Sequence, residues 1–146
     1  MPPDQLRAPN PIDTAQLEAC GFIRAGAWRE DQSGSIRFEG DNPPPKEPGV
    51  YAYAIGGVVH YVGSAQRGLW QRLRHYEIAK TLRTAHRIRQ EILTLLKQGH
   101  EAEVFIIVQS RMMLNGVLPV DAVAGLEEGL IRAWRPTWNR RGMGAT

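Results

Sequence analysis

Apolar and polar positions recur with readable periods along most of the chain. "DTAQLEACGF" opens on Asp13 as an N-cap with Gln16 three residues later, and Gly21 closes it, which predicts a short helix. "SGSIRFEG" predicts a strand bounded by glycines. "DNPPPKEPG" breaks the pattern, because proline neither feeds a ladder nor continues a helix, and the main unit starts where it ends. "GVYAYAIGGVVHYVG", from Gly49 to Gly63, places β-branched and aromatic residues around Gly56-Gly57 and predicts a hairpin. Leu69, Leu73 and Tyr76 share one stripe of a helix over roughly 69–80. Leu82, Ala85, Ile88, Ile92 and Leu95 mark a second over roughly 82–98, stopped by Gly99. "EVFIIVQ" is apolar on both faces, as a central strand is. Val123, Leu126, Leu130 and Trp134 set a last helix over about 119–134, ended by Arg135-Pro136.

The main unit therefore has the order β-β-α-α-β-α. It is an α+β fold, with a small antiparallel or mixed sheet of about three strands flanked by helices. Residues 1–47 form an N-terminal extension with the short helix and one strand, beginning in a loose arm up to about residue 12. Residues 48–141 are the functional domain and 142–146 a tail. "CGFIRAGAW" receives no role.

Composition narrows the class. A chain of 146 residues holds one real core, and 42% hydrophobic with 23% charged residues is an ordinary globular balance. No apolar run is long enough to span a bilayer, which argues against a membrane partner. "MPPDQLRAPNPIDTAQ" lacks the apolar centre of a signal peptide, so the expected location is cytoplasmic. The single cysteine, Cys20, excludes an intramolecular disulfide and a cysteine zinc cluster.

Net charge is +3, and its distribution says more than its size. Between Arg67 and Lys97 stand Arg67, Arg72, Arg74, Lys80, Arg83, Arg87, Arg89 and Lys97 against only Glu77 and Glu91. After Glu128 come Arg132, Arg135, Arg140 and Arg141 with no acid. Two basic segments beside an acidic N-terminal third are the footprint of a polyanion partner or of two solvated helix faces.

Four short patterns separate those alternatives. "GVY" and "YVG" flank the hairpin, "RLRHY" follows on a predicted helix, and "LEEGLIRAWRPTWN" closes the chain. Together they resemble the GIY-YIG nuclease family, with valine for isoleucine in both triplets. Arg72-Leu73 with Tyr76 is similar to the family's arginine followed four residues later by tyrosine or histidine. Glu127 with Pro136-Thr137-Trp138-Asn139 is similar to its helix glutamate followed by Pro-x-x-Asn. The resemblance covers roughly residues 48–141. It departs after the second triplet, where many relatives carry a lysine and this chain has Ser64-Ala65-Gln66.

The resemblance implies a DNA endonuclease with one Mg²⁺ or Mn²⁺ per site, leaving 5′-phosphate and 3′-hydroxyl ends. Glu127, held between Val123 and Ile131 at helical spacing, is the expected metal ligand; one carboxylate with waters and substrate phosphates suits magnesium. Arg72 stabilises charge on the phosphoryl oxygens through paired hydrogen bonds, and Tyr76 lies one turn away on the same face. Tyr51 or Tyr61 orients or deprotonates water. A shared site needs both rings on one face. A two-residue loop, Gly56-Gly57, puts them on opposite faces; a three-residue loop, or an equivalent bulge, brings them together.

Gly49 and Gly63 are expected to allow close approach, with His75 and Asn139 in support. Arg67, Arg74, Lys80, Arg83, His86, Arg87, Arg89 and Arg140 are expected along the DNA backbone. Cutting both strands takes two copies or two events, which leaves room for a homodimer. Sequence specificity would come from the N-terminal segment, the loops or a separate specificity or repair partner. The alternative is a catalytically weak nucleic-acid-binding module with the same fold.

Overall fold

A computed structural model of the chain describes residues 12–78, 83–109 and 112–139. Helix α1 (Thr14–Ala19) precedes strands β1 (Ile23–Glu30), β2 (Ile36–Glu39), β3 (Gly49–Ile55) and β4 (Val58–Ala65). Helices α2 (Leu69–Ile78) and α3 (Arg83–Lys97) follow, then β5 (Ala102–Val108). A small hairpin, β6 (Met112–Leu114) and β7 (Leu118–Val120), leads into α4 (Ala122–Trp134). Each local signal has its expected consequence. Asp13 and Gln16 form a reciprocal capping box on α1, and Gly99 takes a left-handed φ of 89° behind α3.

The α+β class holds, but the sheet has five strands, in the order β2-β1-β5-β3-β4, with every pairing antiparallel. The two additional strands come from the segment set apart as an extension. "IRAGAWRE" hides its strand because Ala25, Gly26 and Ala27 blunt the alternation and the register shifts between Arg24 and Gly26. Its Trp28 is fully buried, with ring centroids 5.8 Å from Tyr53 and 6.1 Å from Tyr76, so β1 belongs to the core. The last helix also begins later than its periodicity suggests. Pro119 lies in β7, and Asp121 caps α4 by accepting from the Ala124 amide.

Two layers cover the sheet. One face packs Trp28, Tyr51, Tyr53 and Tyr61 against α2 and α3. The other packs Val50, Ala52, Val62 and Phe105 against α1 and α4. All seven residues of β3 are buried, as a strand paired on both edges requires. Both sheet edges are blunted. At β2, the Phe38 amide donates to the Glu77 carboxylate at 2.7 Å. At β4, Asn139 spends both ends of its amide on Val62, accepting from the backbone N–H and donating to the C=O, each at 2.8 Å. No helix among the described residues is long and apolar enough to cross a membrane. The loose arm up to residue 11, Lys80, Arg140 and the 142–146 tail lie outside the described residues.

Candidate active site

The β3–β4 hairpin resolves the parity question with a device of each kind. The loop has two residues, Gly56 and Gly57, at φ 57° and 82°, because Ile55 pairs with Val58. One step on, Ala54 pairs with Val59 while Tyr53 pairs with Tyr61, so His60 is an extra residue on β4. This bulge shifts the alternation by one. Tyr51, Tyr53 and Tyr61 then share one face, and Tyr51 stands opposite Gly63. The chain has four tyrosines, and Tyr76 from α2 brings the last into the same cluster, 5.9 Å from Tyr51 and 5.3 Å from Tyr53 between ring centroids.

Gly63 has a specific task in this cluster. A Cβ at that position would overlap the Tyr51 ring and hydroxyl. The expected close approach is therefore that of a ring, not of substrate. Gly49 is similarly pressed, against the Ile107 carbonyl and Leu69.

Arg72 enters from α2. Its Nε donates to the Tyr51 hydroxyl at 3.1 Å, and its guanidinium lies 5.4 Å from the Tyr76 ring centroid. The Tyr51 and Tyr76 hydroxyls share a 2.7 Å hydrogen bond. Burial pushes the phenols of Tyr51, Tyr53 and Tyr76 well above the ordinary tyrosine value. Burial also opposes the charge on Arg72, but the Tyr51 and Tyr76 oxygens beside it outweigh that and hold the guanidinium above its usual range. Arg72 is a permanent cation here.

Glu127 comes from α4 on the other face of the sheet. It is 8% exposed between Val123 and Ile131, and its Oε1 accepts from the Ser64 hydroxyl at 2.9 Å. Neighbouring Glu128 points outward into an ion pair with Arg132 at 2.9 Å. Both layers meet at the β4 edge, where a cleft of about 330 Å³ is lined by Tyr51, Tyr61, Ser64, Arg72, Arg87 and Glu127 together with Thr84, Ile131 and Asn139. Among the described residues no three His, Cys, Asp or Glu side chains converge. The cleft thus offers a cation one carboxylate, one adjacent hydroxyl and room for water, a donor set that fits magnesium or manganese.

The remaining expected residues divide. His75 and Arg67 line a hollow of about 250 Å³ that shares Ser64 and Arg72 with the cleft. Arg87 lines the cleft and donates to the Trp138 carbonyl at 3.0 Å. Arg74 and His86 are exposed; the side chain of Arg83 lies outside the described residues. Arg89 is a correction, being only 9% exposed and bonded to His86 at 3.1 Å. Its position continues the Ala85–Ile88–Ile92 stripe of α3, so it faces the core. Tyr76 does not line the cleft; it stands behind Tyr51. Tyr53, Ser64 and Thr84 were not singled out in advance. Only Tyr53 carried a signal, being two residues from Tyr51 and hence on the same face.

No family model matches the sequence. Over 97 residues, 66% of this chain, it is 30% identical to the UvrABC system protein C of Thermotoga petrophila, and it spans 14% of that protein's length. The GIY-YIG N-terminal endonuclease domain of UvrC from Thermotoga maritima, solved with its catalytic divalent cation, magnesium, is 31% identical. That match covers 66% of this chain and 88% of the domain, with a TM-score of 0.45. A mutant of bacteriophage T4 EndoII shares the fold, with a TM-score of 0.68 over 88% of this chain and 100% of that one at 18% identity. With identity at this level across most of a known GIY-YIG domain, the chain belongs to the GIY-YIG family of endonucleases.

Proposed function

We propose that this protein is a divalent-metal-dependent endonuclease that hydrolyses DNA phosphodiester bonds in the β4-edge cleft, leaving 5′-phosphate and 3′-hydroxyl ends. The observation that carries the reading is the meeting of Arg72, Tyr61 and Glu127, from three different elements, around one cleft. Glu127 would hold a single Mg²⁺ or Mn²⁺, which when bound polarises a phosphoryl oxygen and neutralises developing charge.

The protein's own groups do the rest. Arg72 spends Nε on Tyr51 and keeps its terminal nitrogens for the phosphate, whose negative charge grows in the transition state. Tyr51 is held protonated by burial, so it fixes Arg72 rather than taking a proton. Tyr61, which shares the cleft wall with Tyr51, would orient the attacking water. Tyr76 acts through Tyr51, as a positioning residue. Ser64 sets the rotamer of Glu127. Arg67, Arg74 and Arg87 supply cations for backbone phosphates, a grip that weakens steeply as salt rises.

The test is cleavage of supercoiled plasmid and of a labelled single strand, with Mg²⁺, Mn²⁺ or EDTA, by wild type beside Glu127→Gln. Metal-dependent cutting by wild type and none by a folded Glu127→Gln is expected. Undiminished cutting by the variant sinks the assignment of Glu127. A wild type that binds DNA without cutting either substrate sinks the enzymatic reading.

A further inference from the structure

The proline-rich break before β3 and the outer face of α2 together build a second feature, away from the cleft. A slot of about 340 Å³ opens between them, floored by Phe38 and Leu73 and walled by Pro43, Pro44 and Trp70, with Asn42 at its rim. Trp70 is 39% exposed, a large aromatic partly open to solvent. The Arg74 guanidinium lies 5.4 Å from its ring centroid. The opposite wall is fixed, because the Trp70 amide donates to the Pro45 carbonyl at 2.8 Å and the Leu69 amide to the Glu47 carbonyl at 2.9 Å. Two carboxylates also line the slot: Glu77, which accepts from the Phe38 amide at 2.7 Å, and Glu39, whose charge is countered by Arg29 at 3.1 Å and Arg37 at 3.4 Å.

A slot of mixed polarity, with an aromatic ring, a guanidinium plane and an amide among its lining groups, matches a planar ring with polar edges. Helix α2 carries Arg72 toward the cleft and, two residues earlier, Trp70 toward the slot. We propose that this slot takes an unpaired nucleobase of the substrate strand, stacked against Trp70 and Arg74, so that the protein favours DNA with an unpaired segment beside the cut. The proposal rests on DNA being the substrate of the cleft. A fully paired duplex keeps its bases inside the stack and leaves the slot unused; a strand with free bases gains a stacking contact of a kind every base can make.

The experiment measures binding by fluorescence anisotropy in EDTA, so that no strand is cut. The DNAs are a forked duplex with one unpaired arm, the blunt duplex, and forks with a single abasic nucleotide stepped along the arm. Wild type should prefer the fork, and one abasic position should weaken it by about 5- to 150-fold, the range of a single stacked base. Trp70→Ala should bind the intact fork with that same loss, show no further loss at the abasic position, and bind the blunt duplex as wild type does. Trp70→Phe should retain most of the preference. A folded Trp70→Ala that binds the fork like wild type overturns the proposal, and so does a flat abasic scan on wild type, which needs no variant. Failure of wild type to bind any of these DNAs would overturn the nuclease substrate and this slot together. Cleavage of paired DNA with a flat scan would overturn the slot alone.

Discussion

Replacing Gly63 by alanine is the sharpest test of how the tyrosine cluster is held. Gly63 is absent from the residues with left-handed backbone, so the substitution costs nothing in φ. All of its effect comes from one methyl group placed where the Tyr51 ring and hydroxyl already are. The ring has nowhere to slide. Tyr53, Tyr76 and Tyr61 stand at centroid distances of 5.3, 5.9 and 6.3 Å, and Tyr51 is fully buried. Overpacking of this kind costs about 1–3 kcal/mol. Moving the ring also strains the hydroxyl's bonds to Tyr76 and Arg72, worth about 1 kcal/mol and about 1.5–3 kcal/mol respectively. Since one displacement relieves part of each, the expected total is about 3–4 kcal/mol, a large share of the ~5–15 kcal/mol of a typical domain. Urea denaturation should show a lower midpoint with unchanged slope. Cleavage, measured where the variant is still folded, should fall by roughly 100-fold as Arg72 moves with its anchor. A double-mutant cycle isolates the cause: in a Tyr51→Leu background the cost of Gly63→Ala should shrink to under about 1 kcal/mol. An unchanged cost there, or a Gly63→Ala variant within about 0.5 kcal/mol of wild type, refutes the steric account.

Three further outcomes follow from the same geometry. Tyr51, Tyr53 and Tyr76 keep their protons in the fold beyond the ordinary value of about 10, so above that pH the unfolded chain binds fewer protons and stability falls. The stabilisation is whole below about pH 10 and should be lost by up to about 4 kcal/mol per pH unit above it, read from urea midpoints; a flat profile between pH 9 and 11 contradicts it. Asn139→Ala strands the Val62 amide and carbonyl at the β4 edge and should cost about 2–4 kcal/mol, whereas a loss under about 0.5 kcal/mol would mean that the edge needs no clamp. A fragment of residues 48–141 lacks β1 and exposes the edge of β5 and the faces that pack on Trp28, so circular dichroism in urea should show no cooperative transition; a sharp one would show β1 to be dispensable.

The helices of this chain were more legible than its sheet. Arg72 and Glu127 stand on helices whose periodicities survive into the fold, so their positions needed only helix geometry and motif order, and Asn139 follows in the turn beyond α4. The sheet was underestimated because β1 is made of small residues around a register shift, and a strand buried by its neighbours need not alternate. The hairpin β6–β7 escaped for the opposite reason. Met112, Leu114, Leu118 and Val120 are all exposed, so the run carries no inward face, and only its last two residues fell within the expected helix, although Asn115-Gly116 sat at its turn. The bulge at His60 left no local trace at all, since both loop lengths were compatible with the residues. Arg89 shows the limit of counting charge: the same arginine reads as surface from composition and as core edge from its helical position.

The strand order also dictates a sequence of events. β5 lies between β1 and β3, yet it is made after both, with two helices intervening. A chain emerging from the ribosome forms the pairs β1–β2 and β3–β4 early, from neighbouring residues. It must then hold them apart until residues 102–108 arrive to join them, contacts of high sequence separation whose closure is slow. Until that moment β3, with every residue destined for burial, has one open edge, and Trp28 has no Tyr53 to rest on. The complete sheet that backs the cleft therefore exists only after residues 102–108 have been made, and the unjoined halves are the species a chaperone would have to shield.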